Sequence, residues 1–231
     1  MQAVILAAGR GTRMGALTDA LPKPMLEVDG KSLMARKLEM LEGLCDEVVI
    51  IVGYKGAVIR EKLGDRFGTL PLTYVEQTEL NGTGGAVHSA RPHLRDRFVV
   101  LMGDDLYSAH DVQAVAAEPD WAMLVERTRT MAEGGNIVLD VNGRIIGIEE
   151  GDHTGKPGIM NTNMLLLDMR FFDQPLVPKA AGSAEYGLPQ TALAAAEAFA
   201  IPFKAVNATG WIQVTAPADI VKAERRLAGL E

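Results

Sequence analysis

The sequence predicts an α/β fold: a mostly parallel, mixed sheet covered by helices, with a small antiparallel insertion. Three observations predict it. Short β-branched apolar runs alternate with helical patterns through the first half, the arrangement of right-handed βαβ crossovers. A glycine-rich segment follows the first apolar run directly. A hairpin signal, Asn142-Gly143, is confined to the second half.

Taken in order, residues 3–7 (AVILA) form an apolar run that suits a strand buried on both faces. Residues 32–43 carry helical periodicity, and 47–52 (EVVIIV) form a second buried strand. Residues 56–63 read as a short helix stopped by Gly64, and 72–76 and 98–102 as further strands. Beyond them, 121–126 resembles another strand of the same sheet. Ile137–Leu139 and Ile145–Ile148 flank the Asn-Gly turn, and 164–167 adds a strand. An Ala-rich helix at 190–199, a strand at 203–206 and a helix at 217–228, opened by Pro217, complete the pattern.

Composition narrows the function. The chain has 231 residues, is 48% hydrophobic and carries a formal net charge of −7. That length suits one domain, 1–231, with a substantial core. So acidic a chain is a poor general binder of nucleic acid or anionic membrane, since both require a basic surface. A small anion held by a few placed cations remains compatible. The single cysteine, Cys45, excludes an intrachain disulfide and a Cys-cluster zinc site, and helical spacing with Met34, Leu38 and Leu41 gives it an apolar role. The short apolar start lacks a basic region, and no window approaches a membrane span, so a cytoplasmic protein is expected.

The chemistry concentrates after the first strand, in Leu6-Ala7-Ala8-Gly9-Arg10-Gly11-Thr12-Arg13-Met14-Gly15. Gly9 and Gly11 permit a tight turn that presents N–H groups to an anion. The spacing is not that of a dinucleotide fold, because the glycines fall at 9, 11 and 15 and no acidic residue ends the second strand. Nor is it a P-loop: Gly30-Lys31-Ser32 exists, but position 25 is Met. The loop is distinguished by Arg10 and Arg13, and by Lys23 between Pro22 and Pro24. The prolines restrict the backbone around that lysine, as suits an ammonium aimed at a fixed point.

LAAGRGTRM, with Pro-Lys-Pro around Lys23, resembles the signature of the sugar-1-phosphate nucleotidylyltransferases. The likeness continues in pieces to near residue 223, and is greatest to the monofunctional UTP:sugar-1-phosphate uridylyltransferases. It implies a Rossmann-like three-layer sandwich whose antiparallel insertion lies on the sugar side, without an appended acyltransferase domain. It also implies transfer from an NTP, most simply UTP, to a sugar 1-phosphate of N-acetylhexosamine or glucose type, with Mg²⁺ and release of pyrophosphate. Thymidylyl, guanylyl or cytidylyl transfer on the same fold, or a non-catalytic nucleotide-sugar-binding subunit, are the alternatives.

Residue by residue, the resemblance makes Arg13 and Lys23 catalytic. Nucleotide contacts fall to Leu6, Ala7, Ala8, Gly9, Gly11 and Thr12, and to Gln77, Gly82 and Thr83 of the loop Asn81-Gly82-Thr83-Gly84-Gly85-Ala86. Gln77 would read a pyrimidine edge, its paired donor and acceptor suiting uracil or thymine. Gly135, Glu149 and Asn161 would hold sugar hydroxyls, and Tyr186 would border them. Asp104, in Met102-Gly103-Asp104-Asp105, would bind the metal with Gln213, which replaces the family's aspartate by an amide. Asp105 has no family counterpart and is expected either in solvent or behind the metal site, where it could compensate for Gln213. Asn163 stands where the family has glycine, which narrows the pocket. Gly151 stands where the family has a lysine, which Lys156 would supply from a displaced position. His88 and His93 have no zinc spacing.

Overall fold

The architecture comes from a computed structural model that describes residues 1–131 and 134–230. β1 (Gln2–Ala7) is buried along its whole length. Its side chains alternate between two cores: Val4 and Leu6 enter one, and Ala3, Ile5 and Ala7 the other. That alternation is why residues 3–7 are all apolar. A 3₁₀ segment, Thr12–Thr18, follows the glycine-rich loop, and a second, Lys23–Met25, leads into the hairpin β2 (Glu27–Val28) and β3 (Lys31–Ser32). α1 (Leu33–Leu41) starts at Ser32, whose side chain accepts a hydrogen bond from the Ala35 N–H.

β4 (Glu47–Val52) pairs in parallel with β1 from Gln2↔Glu47 to Ala7↔Val52. α2 (Gly56–Leu63) and the short β5 (Arg66–Phe67) lead to β6 (Leu70–Glu76), parallel to β4. α3 (Thr83–Ser89) returns the chain to β7 (Phe98–Met102), parallel to β1 on its other side. Then α4 (Ala109–Ala116), β8 (Trp121–Thr128), β9 (Gly134–Leu139) and β10 (Ile145–Gly151) follow. β11 (Gly158–Leu167), α5 (Leu188–Ala198), β12 (Phe203–Asn207) and α6 (Pro217–Leu227) close the chain.

The strand order is β10-β9-β11-β7-β1-β4-β6-β5, with β8 paired to β11 and β12 to β8. The sheet is parallel at its centre and turns antiparallel at β7/β11, as the antiparallel insertion requires. α3 and α5 cover one face, and α1, α2 and α4 the other. This is the three-layer arrangement expected.

A third, smaller core joins Met14, Leu26, Val28 and Leu33 to Leu106, Ile212, Val214 and Ala223 of α6. It fastens the early loops to the late chain just behind the C-terminal edge of the parallel strands. Most expected elements lie where the pattern put them. α4 and the β2–β3 hairpin stand beyond the elements expected from the sequence. Cys45 is buried with Met34, Leu38 and Leu41, as its spacing indicated.

Candidate active site

The C-terminal ends of the parallel strands open into a cleft of about 940 Å³. At one end, the loop after β1 is held by close backbone approaches. The Gly103 N–H donates to the Leu6 carbonyl at 2.8 Å, and a Cβ at Gly103 would stand 2.7 Å from that oxygen. Gly11 has φ +64° and lies against Lys23; its Cβ would meet the Lys23 Cβ at 2.9 Å. Both glycines are therefore needed to bring β1, the Asp104 turn and Lys23 together.

Lys23 is nearly buried, and its ammonium donates to Asp104 Oδ2 at 2.6 Å. The ion pair holds the lysine at one point, as its flanking prolines suggested. Arg13 lines the cleft, while the Arg10 guanidinium stacks 5.3 Å from the Tyr54 ring centre. Of the loop residues implicated by sequence, Leu6, Ala8 and Gly9 line the cleft. Ala7 points into the α1-side core because β1 alternates, and Thr12 is exposed at the start of the 3₁₀ segment.

The two adjacent aspartates divide. Asp104 turns to Lys23, and its Oδ1 has no hydrogen-bond partner among the described residues. Asp105 is 6% exposed and accepts from the Trp211 indole N–H at 3.2 Å and from the Val214 N–H at 3.3 Å. A solvated Asp105 is thus overturned, and so is its standing in for Gln213: it faces the interior, whereas Gln213 lines the cleft. Burial pushes the Asp105 carboxyl up, opposed by the charges of Lys23 and Lys37. Lys37, itself fully buried, is pushed down by desolvation against the pull of Asp105. The sequence reading passed over Lys37. Its signal was helical position, since it shares the buried face of α1 with Met34, Leu38 and Leu41.

The donor set suits a hard divalent cation. One carboxylate and one amide oxygen are available, and Mg²⁺ commonly takes few protein ligands and completes its shell with phosphate oxygens and water. Among the described residues no cluster of three or more His, Cys, Asp or Glu converges, so the substrate would have to complete the shell.

Toward β6, Gln77, Gly82 and Thr83 line the same cleft. Gln77 Nε2 donates to Asn81 Oδ1 and the Gly82 carbonyl, both at 3.3 Å, leaving Oε1 to accept from a ligand. The loop is braced by a strap: the Tyr186 N–H donates to Asn81 O at 2.7 Å, and the Gly84 N–H donates to Tyr186 O at 2.9 Å. Tyr186 borders the cleft.

The opposite half is walled by β9, β10 and β11. Gly135 and Asn161 line it, but Glu149 does not. Glu149 is exposed on the other face of β10 and accepts from Asn136 Nδ2 at 3.2 Å. Its neighbour Glu150 is the cleft-lining carboxylate, held by Gln190 Nε2 at 2.7 Å. The correction follows from strand geometry: adjacent residues face opposite ways, and Glu150 shares a face with its partner Gly135.

Asn163 has φ +55°, the left-handed conformation that suits the family's glycine and that asparagine tolerates. It exchanges two hydrogen bonds with Asn161, at 2.7 and 3.0 Å. Lys156 is exposed and away from the cleft. Lys179, on the strap and unremarked in the sequence reading, lines it instead. With Arg13 it is one of two cations among the described lining residues. His88 packs 5.3 Å from the Phe172 ring, and burial lowers its pKa.

A sheet parallel at its centre, with a cleft at the C-terminal strand ends rimmed by a glycine-rich loop and Arg13, is the arrangement of a nucleotide-binding α/β protein. The chain belongs to the family of MobA-like NTP transferase domains, which it matches over residues 3–174. It is 33% identical over 174 residues to the bifunctional protein GlmU of Methanocaldococcus jannaschii, covering 75% of this chain and 41% of that protein. It is 28% identical to the UTP–glucose-1-phosphate uridylyltransferase AglF of Haloferax volcanii, covering 98% of this chain and 96% of AglF. Among solved structures, HddC from Yersinia pseudotuberculosis superposes with a TM-score of 0.73 at 24% identity, covering 98% of this chain and 99% of HddC. The same protein complexed with GMP-PN also gives 0.73, at 23% identity. Among the described residues no helix is long and apolar enough to cross a membrane.

Proposed function

We propose that this protein transfers a uridylyl group from UTP to a sugar 1-phosphate. An oxygen of the sugar phosphate attacks the α-phosphorus of UTP, the α-phosphorus bond to the bridging oxygen breaks, and pyrophosphate leaves with that electron pair. The attacking phosphate monoester is already anionic at neutral pH, so no general base is needed. Repulsion between anions is the obstacle, and charge neutralisation with positioning is the remedy.

The observation that carries this reading is the fixed Lys23–Asp104 ion pair, packed against Gly11 of the glycine-rich loop whose Leu6, Ala8, Gly9 and Arg13 line a cleft of about 940 Å³, roomy enough for both substrates. Arg13 grips the departing β- and γ-phosphates, and Lys23 bridges the α-phosphate and the incoming one. Asp104 and the Gln213 amide oxygen would hold Mg²⁺. Bound there, the ion would supply positive charge that offsets the charge of the phosphates.

The free Oε1 of Gln77 accepts from the N3–H of uracil or thymine, a donor that cytosine lacks. The likeness to AglF over nearly its whole length supports UTP. In the sugar half, Gly135, Glu150 and Asn161 meet hydroxyls, and Lys179 supplies the cation there. On this reading residues 1–231 act as one nucleotidyltransferase domain in the cytoplasm, on small-molecule substrates. The test is pyrophosphate release with four NTPs against glucose, N-acetylglucosamine and N-acetylmuramic acid 1-phosphates, with Mg²⁺. Strongest turnover with UTP is expected. Binding of a UDP-sugar with no turnover in any combination would overturn catalysis in favour of a sensor.

A further inference from the structure

We propose that Asp105 is a positioning residue, which acts from beneath the catalytic turn to set the Gln213 amide relative to Asp104. The inference rests on the reading that Gln213 contacts the reacting groups. Trp211, Ile212 and Val214 are buried, while Gln213 between them is exposed to the cleft. Three anchors from residues 105–111 fix this segment. At one end, Asp111 accepts from the Thr209 N–H at 2.9 Å, the Thr209 hydroxyl at 2.7 Å and the Gly210 N–H at 2.9 Å. In the middle, Leu106 and Ile212 exchange backbone hydrogen bonds of 3.0 and 2.9 Å. At the other end, Asp105 takes the Trp211 indole and the Val214 N–H, one on each side of Gln213.

A carboxylate is a costly way merely to fill this space, because burying an ion is unfavourable unless it is paired and hydrogen-bonded. Lys37 offsets that cost. Its ammonium donates to the Leu33 carbonyl at 3.1 Å and to the Asp105 backbone carbonyl, so it also ties the turn to α1. Two oxygens at a fixed separation, each taking a donor that flanks Gln213, specify its place in a way an apolar side chain does not. One aspartate of the turn thus meets Lys23, and the next places the cleft-lining amide.

The test compares Q213A, D105N, W211F and the double variant D105N/Q213A with wild type. Turnover is followed by pyrophosphate release from UTP and the sugar 1-phosphate that reacts fastest. Thermal melting and Mn²⁺ binding in the presence of UTP, read by water proton relaxation, are measured alongside. Expected are a drop of about 10- to 100-fold in kcat for Q213A and a similar drop for D105N, with KM for UTP within about threefold. The double variant should be within about twofold of Q213A, because residues acting as one unit are not additive. Mn²⁺ binding should weaken to the same extent in both single variants. W211F removes one donor without disturbing either charge, and should lose about three- to tenfold in kcat even if D105N folds poorly.

Losses that multiply in the double variant, or wild-type turnover in W211F and D105N, overturn the inference. Wild-type turnover in Q213A overturns it while leaving the uridylyl-transfer reading intact. Failure of wild type with every NTP and sugar 1-phosphate overturns that reading and this inference together.

Discussion

The two halves of the cleft are built on different principles. On the proposed reading one half takes the nucleotide and the other the sugar. The nucleotide half hangs on loops after parallel strands, where Gly11, Lys23, Gly103 and Asp104 are packed close together. Its residues come as short contiguous motifs, and glycines admit the close approaches. The sugar half is a wall of antiparallel strands closed by the 177–187 strap. There a side chain reaches the ligand only if its strand has the correct register. Motif-built sites tolerate no new atom, while register-built sites tolerate many substitutions but no slip by one residue.

The sharpest test of the motif-built half is Lys23→Ala. Losing a cation that bridges two phosphates should lower kcat by about 10²–10³ in a pyrophosphate-release assay. A loss of only a few fold would place the decisive cation elsewhere. Gly11→Ala probes the same contact through the backbone. Its Cβ meets that of Lys23 in a left-handed conformation, so a destabilisation of about 1–2 kcal/mol in denaturant unfolding is expected, alongside reduced turnover.

The register-built half is tested by a pair. Glu150→Ala should raise KM for the sugar 1-phosphate about tenfold, whereas Glu149→Ala should leave it within about twofold, one charged hydrogen bond being the difference. Equal effects would erase the contrast between the faces of β10. Gln77→Ala should lower kcat/KM for UTP about fivefold and narrow its margin over CTP, consistent with one neutral hydrogen bond.

Cys45, which does not line the cleft, bears on stability and not on turnover. Burial raises its thiol to about 11 from 9.0, so the folded state holds its proton more tightly than the unfolded chain. The resulting stability is complete below pH 9 and fades as pH rises toward 11. Melting curves of wild type and Cys45→Ala should therefore converge over that interval.

The loop that rims the cleft after β1 was legible in the sequence, because a loop constrained by glycines and prolines leaves a local signature. The strap residue Lys179 has no such signature, for the strap that carries it folds back through bonds such as Lys179 N–H to Glu185 O and Gly187 N–H to Val177 O. Glu149 and Glu150 illustrate a different limit. The apolar run that marks the strand stops at Ile148, so hydrophobic alternation does not say which glutamate faces inward. Asp105 and Lys37 read as ordinary polar residues, since a buried charge is recognisable only once its partners surround it.

Sequence by itself determined the layered α/β order, the glycine-rich loop after the first strand and the presence of Lys23, Asp104 and Gln213 as candidates. Periodicity, turn chemistry and contiguous motifs are properties of neighbours along the chain. Tertiary structure alone decided that Asp105 points inward and Gln213 outward, that Glu150 rather than Glu149 lines the cleft, and that Lys179 lines it too. Each of those outcomes depends on a contact between residues distant in sequence, such as Asp105 with Trp211. Only packing fixes which such contacts form.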